Sequence, residues 1–180
     1  MKVRHILTGL MAALVTATPA FAGNTMRDHE LLWNTLESAG VTVKVNPRDC
    51  DGDFHGYYNR REMILVVCQD RARPGGRQVR WTSNDLDTLR HEAHHVLQDC
   101  MIGGLGDMRS DTFFELEDLK EFLMESTLTA EDIESIIESY KDQGASDEVI
   151  IMELEAFAVA SDIDASRIAS AIDRVCPSVL

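Results

Sequence analysis

Residues 88–100, TLRHEAHHVLQDC, contain three histidines and a glutamate within five positions. His91 and His95, with Glu92 between them, form the pattern H-E-x-x-H. On an α-helix, side chains four residues apart lie on one face, so two imidazoles can bind one zinc ion while the glutamate acts as a general base. We therefore predict that His91 and His95 are metal ligands and that Glu92 is catalytic. His94 lies away from the helix face that His91 and His95 share, and we predict no ligand role for it. The alternative is an exposed, histidine-rich helix face.

A catalytic zinc ion takes three protein ligands and keeps one position for water. No histidine follows His95, so the third ligand is expected to be an acidic residue, unless His29 or His55 supplies it. Glu153 lies within an apolar helical segment, where an unpaired carboxylate is costly and a metal ion would neutralise it. We therefore predict Glu153 as the third ligand.

Glu155 is the alternative third ligand. It recurs at seven-residue spacing with Glu148 and Asp162, a pattern that predicts a solvated stripe. Glu153 is preferred for that reason.

Two segments resemble known zinc peptidases. HEAHH followed by ELEAFAVA is similar to gluzincin-type metallopeptidases, and GYYNRREMILVV leading to TLRHEAHH resembles the ImmA/IrrE-type metallopeptidases. The resemblance implies Zn²⁺ as cofactor, a peptide or protein substrate, His91, His95 and Glu153 as ligands, and Glu92 as base. Phe157 departs from the pattern, because such proteins usually have Asp or Asn there.

The elements that would position these residues form an α+β fold. Helices are predicted at about 24–39, from Ser83 or Asn84 to about 99, and over most of residues 112–176. VTVKV (41–45), EMILVVC (62–68) and RQVRW (77–81) are predicted strands. We expect a small antiparallel sheet next to the H-E-x-x-H helix, followed by a mainly helical C-terminal half. The 62–68 strand is expected to be an edge that pairs with an extended peptide.

The first 22 residues have the pattern of a secretory signal peptide, with Lys2 and Arg4 before an apolar run and Ala20-Phe21-Ala22 at its end. This predicts a secreted or periplasmic protein with a single domain over residues 23–180. Removing the two basic residues leaves 15 basic and 31 acidic residues, a net charge of −16. Such a surface excludes nucleic acid and anionic membranes as partners.

Four cysteines remain in the exported chain, which predicts two disulfides. A hairpin turning near Arg60 would bring Cys68 opposite position 52, close to Cys50. The prediction is therefore Cys50–Cys68, which leaves Cys100–Cys176.

The sequence therefore favours a secreted or periplasmic zinc metallopeptidase. The alternatives are a non-catalytic zinc-binding structural or regulatory protein on a similar scaffold, and a helical interaction module without metal. A calcium site in DCDGDFHG (49–56) is disfavoured, because its glycines do not fall at the sixth position of a calcium loop. Tyr57, Tyr58 and His55 are the candidates for stabilising an oxyanion.

Overall fold

The computed structural model describes residues 25–52 and 54–176, and the predicted signal peptide lies outside these residues. Their elements confirm the α+β class, with a small sheet first and a mainly helical C-terminal half. In chain order they are α1 (Met26–Ser38), β1 (Thr42–Val45), β2 (Gly56–Asn59), β3 (Ile64–Val67), α2 (Ser83–Cys100), α3 (Leu116–Glu125), α4 (Ala130–Asp142), α5 (Asp147–Asp162) and α6 (Ala165–Val175).

The sheet is mixed, not wholly antiparallel as expected. Its order is β1-β3-β2, with β2 antiparallel and β1 parallel to β3. Leu65, Val66 and Val67 are fully buried, and a strand buried on both faces belongs in the centre of a sheet. The expectation that the 62–68 strand is an edge is therefore wrong, and β1 and β2 are the edges. Residues 77–81 form no strand.

The β2–β3 hairpin turns later than expected. Tyr57 pairs with Val66, and the Cys68 amide donates to the His55 carbonyl at 2.7 Å, so Cys68 lies opposite residue 55 and not residue 52. The Asn59 side chain accepts a hydrogen bond from the Glu62 amide, which begins the turn at Asn59. The pairing register therefore differs from the predicted one by three residues.

Both predicted disulfides are confirmed. Cys50 and Cys68 have Cα atoms 5.5 Å apart, and Cys100 and Cys176 have Cα atoms 5.2 Å apart. The second bridge fastens the end of α6 to the last residue of α2. Cys68 and Cys100 lie on either side of the H-E-x-x-H pattern, and each is thus tied to another part of the chain.

Helix α2 lies at the centre of the molecule. It begins with a capping box in which Thr82 accepts from the Asp85 amide and Asp85 accepts from the Thr82 amide, one residue before the expected cap. Its apolar stripe enters a core shared with α1, α6 and the sheet. That core contains Leu32, Leu36, Val43, Leu65, Val67, Leu89, Ala93, Val96, Leu97, Ile168 and Ile172.

Helix α5 packs along α2, and α4 packs against α5. Within residues 25–52 and 54–176, no helix is both long and apolar enough to cross a membrane. The side of α2 that faces α5 is where the polar residues of the two helices meet.

Candidate metal centre

The structure brings the three predicted ligands together between α2 and α5. The two Nε2 atoms of His91 and His95 are 3.1 Å apart. The Glu153 carboxylate places Oε2 3.3 Å from His91 Nε2 and Oε1 3.5 Å from His95 Nε2. These residues form a group whose candidate ligand atoms all lie within 4.8 Å of one another.

The spacing of these groups would allow one metal ion to be shared among them. Zinc lies about 2.0–2.1 Å from each nitrogen or oxygen ligand, so two ligand atoms at the tetrahedral angle are about 3.3 Å apart. The two imidazole nitrogens are 3.1 Å apart, and each lies 3.3 or 3.5 Å from a different oxygen of the Glu153 carboxylate, so each pair of groups approaches that separation. Two imidazoles and one carboxylate are a donor set that zinc accepts, so the chemistry of these residues suits such an ion.

Neighbouring side chains orient the two histidines in different ways. The Nδ1 atom of His95 lies 2.8 Å from Gln98 Oε1, so it donates there and leaves the Nε2 lone pair for a metal ion. Gln98 is itself held by a bond from Nε2 to the Met152 carbonyl. His91 Nδ1 has no hydrogen-bond partner among the described residues. Its ring instead packs against Phe157, with centroids 4.4 Å apart.

The pKa values of His95 and Glu153 are shifted because their side chains carry opposite charges and lie close together. Burial lowers the pKa of His95, but hydrogen bonding and charge from Glu153 outweigh it and raise that pKa to about 9. Burial has the opposite effect on Glu153 and raises its pKa, but hydrogen bonds from His91 and His95 outweigh burial and lower that pKa. In the absence of a metal ion, the charged form of His95 is therefore favoured at neutral pH, and a metal ion would have to displace its proton.

Glu92 lies beside this cluster, close to β2. Burial raises the pKa of its carboxyl, opposed by the charges of His91 and His95 and by a hydrogen bond from the Tyr58 backbone. A Cβ atom at Gly56 would come within 2.6 Å of Thr88 and 3.3 Å of Glu92 Cγ, so only glycine allows β2 to approach α2 this closely. The close approach fixes Glu92 next to the predicted ligands.

A cavity of about 610 Å³ opens onto His91 and Glu92. The start of β2 forms one wall, and α4 and α5 form the other. Its remaining lining residues are Phe54, His55, Gly56, Asn84, Asp87, Thr88, Ser139, Tyr140, Gln143, Phe157, Ala160 and Ser161. A position beside the predicted ligands is therefore accessible to a small molecule or a peptide segment.

Tyr140 is a site residue that the sequence analysis missed. Its hydroxyl donates to Glu153 Oε2 at 2.7 Å, and its ring lines the cavity. Tyr140 lies 13 residues before Glu153 and on another helix. No spacing rule within one helix connects them, so the contact is visible only in the folded chain.

Of the three residues predicted as candidates for stabilising an oxyanion, only His55 lines the cavity. Tyr57 donates to Asp49 and Tyr58 donates to Asp99, so neither hydroxyl is free to face the cavity. His55 lines the cavity and lies 3.4 Å from the Asp70 carboxylate.

The alternative histidine ligands are placed elsewhere. His29 is buried, with Nε2 2.9 Å from the guanidinium of Arg90. His55 is outside the three-residue group, so Glu153 is the third member.

Glu155 is not on a solvated stripe, and that part of the prediction is wrong. Its side chain is fully buried and accepts hydrogen bonds from the Phe113 and Phe114 amides at 2.8 and 3.3 Å. It also lies 2.5 Å from His94 Nε2. The helical period groups Glu155 with polar residues, but the loop before α3 covers that face of α5.

A family model described as "Domain of unknown function (DUF8637)" matches residues 21–176. No curated protein and no solved structure matches the chain.

Proposed function

The chain belongs to the family described as "Domain of unknown function (DUF8637)", and we propose that it is a zinc-dependent metallopeptidase. The family description names no chemistry, so the proposal rests on the site. The observation that carries it is the meeting of His91, His95 and Glu153, whose candidate ligand atoms lie within 4.8 Å of one another, beside Glu92 and an open cavity.

His91, His95 and Glu153 would hold the metal ion. Three protein ligands and an adjoining cavity match a catalytic zinc site, because a structural site fills all four positions with protein. A bound zinc ion would polarise a substrate carbonyl and acidify a water molecule. Two imidazoles and a carboxylate leave that ion with a net positive charge for this chemistry.

Glu92 is the proposed general base. Its position next to His91 lets it take a proton from water and deliver that proton to the leaving amine of a peptide bond. Burial raises the pKa of its carboxyl, which makes the carboxylate a stronger base. The cavity walls would hold the peptide on either side of the bond that is cut.

We further propose that the protein works outside the cytoplasm. Two disulfides join all four cysteines, and such bonds persist in oxidising compartments. The amino-terminal pattern favours export by a signal peptide.

The decisive variant is Glu92→Gln, which keeps the side-chain shape and removes the base. We expect purified protein to carry about one zinc per chain and to cleave an unstructured protein such as casein. Glu92→Gln should retain the zinc and lose at least about 100-fold in cleavage rate, the smallest general-base effect that is usual for enzymes. Elemental analysis and a fluorescent casein assay measure the two quantities.

A different outcome would support the alternative function. If the wild-type protein binds zinc but neither it nor Glu92→Gln cleaves peptides, the site belongs to a non-catalytic zinc-binding protein. The Phe157 ring packs against His91, whereas the peptidases that the sequence resembles usually have Asp or Asn at this position, and this difference favours the alternative.

A further inference from the structure

Helix α4 is the wall of the cavity with the fewest buried contacts. It contains no buried residue, and among the described elements it packs against α5 alone. Segments with few buried contacts open at a low cost in free energy. Helix α4 is therefore the wall of the cavity that moves most easily.

The two ends of α4 are suited to such a movement. Before the helix, the Thr127 amide donates to Asp162 at the end of α5, at 3.0 Å. After it, Gly144 has a φ of 79° and no atom of another residue within 4 Å of a Cβ position. The amino-terminal end is thus anchored to α5, while the carboxyl-terminal end, which carries Tyr140, ends in an uncrowded turn.

The inner face of α4 reaches the metal centre. Ser139, Tyr140 and Gln143 line the cavity opposite the start of β2. The Tyr140 hydroxyl donates to Glu153 Oε2, the oxygen that lies 3.3 Å from His91 Nε2. A helix that contains no buried residue is therefore bonded directly to a predicted metal ligand.

We propose that Tyr140 is a positioning residue for Glu153, and that its hydroxyl couples metal binding to the closure of α4 over the cavity. This inference rests on the proposed metal site. A carboxylate with one oxygen held by a hydroxyl loses rotational freedom, so less entropy is lost when the ion binds. By linkage, an ion that fixes Glu153 also stabilises the bond to Tyr140 and the packing of α4.

Zinc titration of metal-free protein tests the positioning role. Tyr140→Phe keeps the ring against α5 and removes the hydroxyl. We expect it to bind zinc about 10-fold more weakly than the wild type, the lower end of losses for outer partners of metal ligands. Tyr57→Phe is the matched control, because its hydroxyl bonds Asp49 away from the metal centre. It should leave zinc affinity unchanged.

Amide hydrogen exchange tests the coupling. In the wild type, added zinc should slow exchange across residues 130–142. In Tyr140→Phe, at zinc concentrations that saturate the site, this protection should be largely lost, while protection in α2 remains. A merely structural tyrosine would change exchange equally with and without zinc.

The outcomes separate this inference from the proposed function. Wild-type affinity and wild-type protection of α4 in Tyr140→Phe would overturn the inference and leave the zinc site standing. A wild-type protein that binds no zinc would overturn both the proposed function and the inference.

Discussion

Two histidine–glutamate pairs join the same two helices, and they differ in what surrounds them. His94 and Glu155 are both buried, and the carboxylate accepts two backbone hydrogen bonds as well as its contact with the imidazole. His91 lines a cavity, and the Glu153 carboxylate next to it meets a second imidazole and the Tyr140 hydroxyl instead of backbone amides. The same residue types thus serve two purposes within one helix pair.

The difference teaches what a metal site requires beyond its ligands. The acceptor capacity of Glu155 is taken up by protein donors, so it stabilises the loop before α3. The partners of Glu153 are side chains that can release a proton and turn lone pairs towards an ion. A buried carboxylate with fixed amide donors is structural, whereas one facing titratable ligands can bind metal.

Substituting both His91 and His95 with alanine should have the largest effect on zinc binding. We expect complete loss of zinc binding, because only Glu153 would remain as a ligand. Elemental analysis of dialysed protein measures it. The His55→Ala variant is the control, since its exposed ring lies outside the ligand group and its removal should leave zinc content unchanged. Stoichiometric zinc in the double variant would place the metal elsewhere.

Alanine substitutions at the two glutamates should lower different quantities, zinc affinity for Glu153 and the free energy of unfolding for Glu155. Glu153→Ala removes a ligand and should weaken zinc binding by more than about 100-fold, the upper end for outer partners. Glu155→Ala leaves buried donors unpaired and should lower the free energy of unfolding by about 3 kcal/mol.

Isothermal titration with zinc and urea unfolding of metal-free protein measure these two quantities for both variants. If Glu155→Ala loses zinc while remaining stable, the roles assigned to the two glutamates are reversed. Equal effects of both substitutions on both measurements would remove the distinction between the pairs.

Zinc affinity should depend on pH through the proton that His95 binds next to Glu153. Glu153 raises the pKa of His95 to about 9, and zinc must displace that proton. Below pH 9, each unit of decrease should therefore weaken zinc binding by about 10-fold for this one proton. Competition titrations with a chelator at pH 6, 7 and 8 measure the slope. A zinc affinity that is constant over this range would show that His95 is already neutral in the metal-free protein.

Much of the site follows from local rules that the sequence contains. The H-E-x-x-H spacing determines that His91 and His95 share a helix face, because a helix repeats every 3.6 residues. The solvation cost of a carboxylate in an apolar segment singled out Glu153. Cysteine count and export predicted two disulfides, although the hairpin register used to pair Cys50 with Cys68 was three residues off.

What the sequence left open depended on contacts between distant segments. Helical periodicity tells which residues share a face but not which neighbour covers it, so Glu155 was expected in solvent and is buried. The apolar run EMILVVC predicted β3 without its place in the sheet, which is set by burial on both faces. Tyr140 joined the site only through the packing of α4 on α5. Local spacing determined the chemistry of α2, and tertiary packing decided which side chains surround it, because burial and hydrogen-bond partners come from elements far apart in the chain.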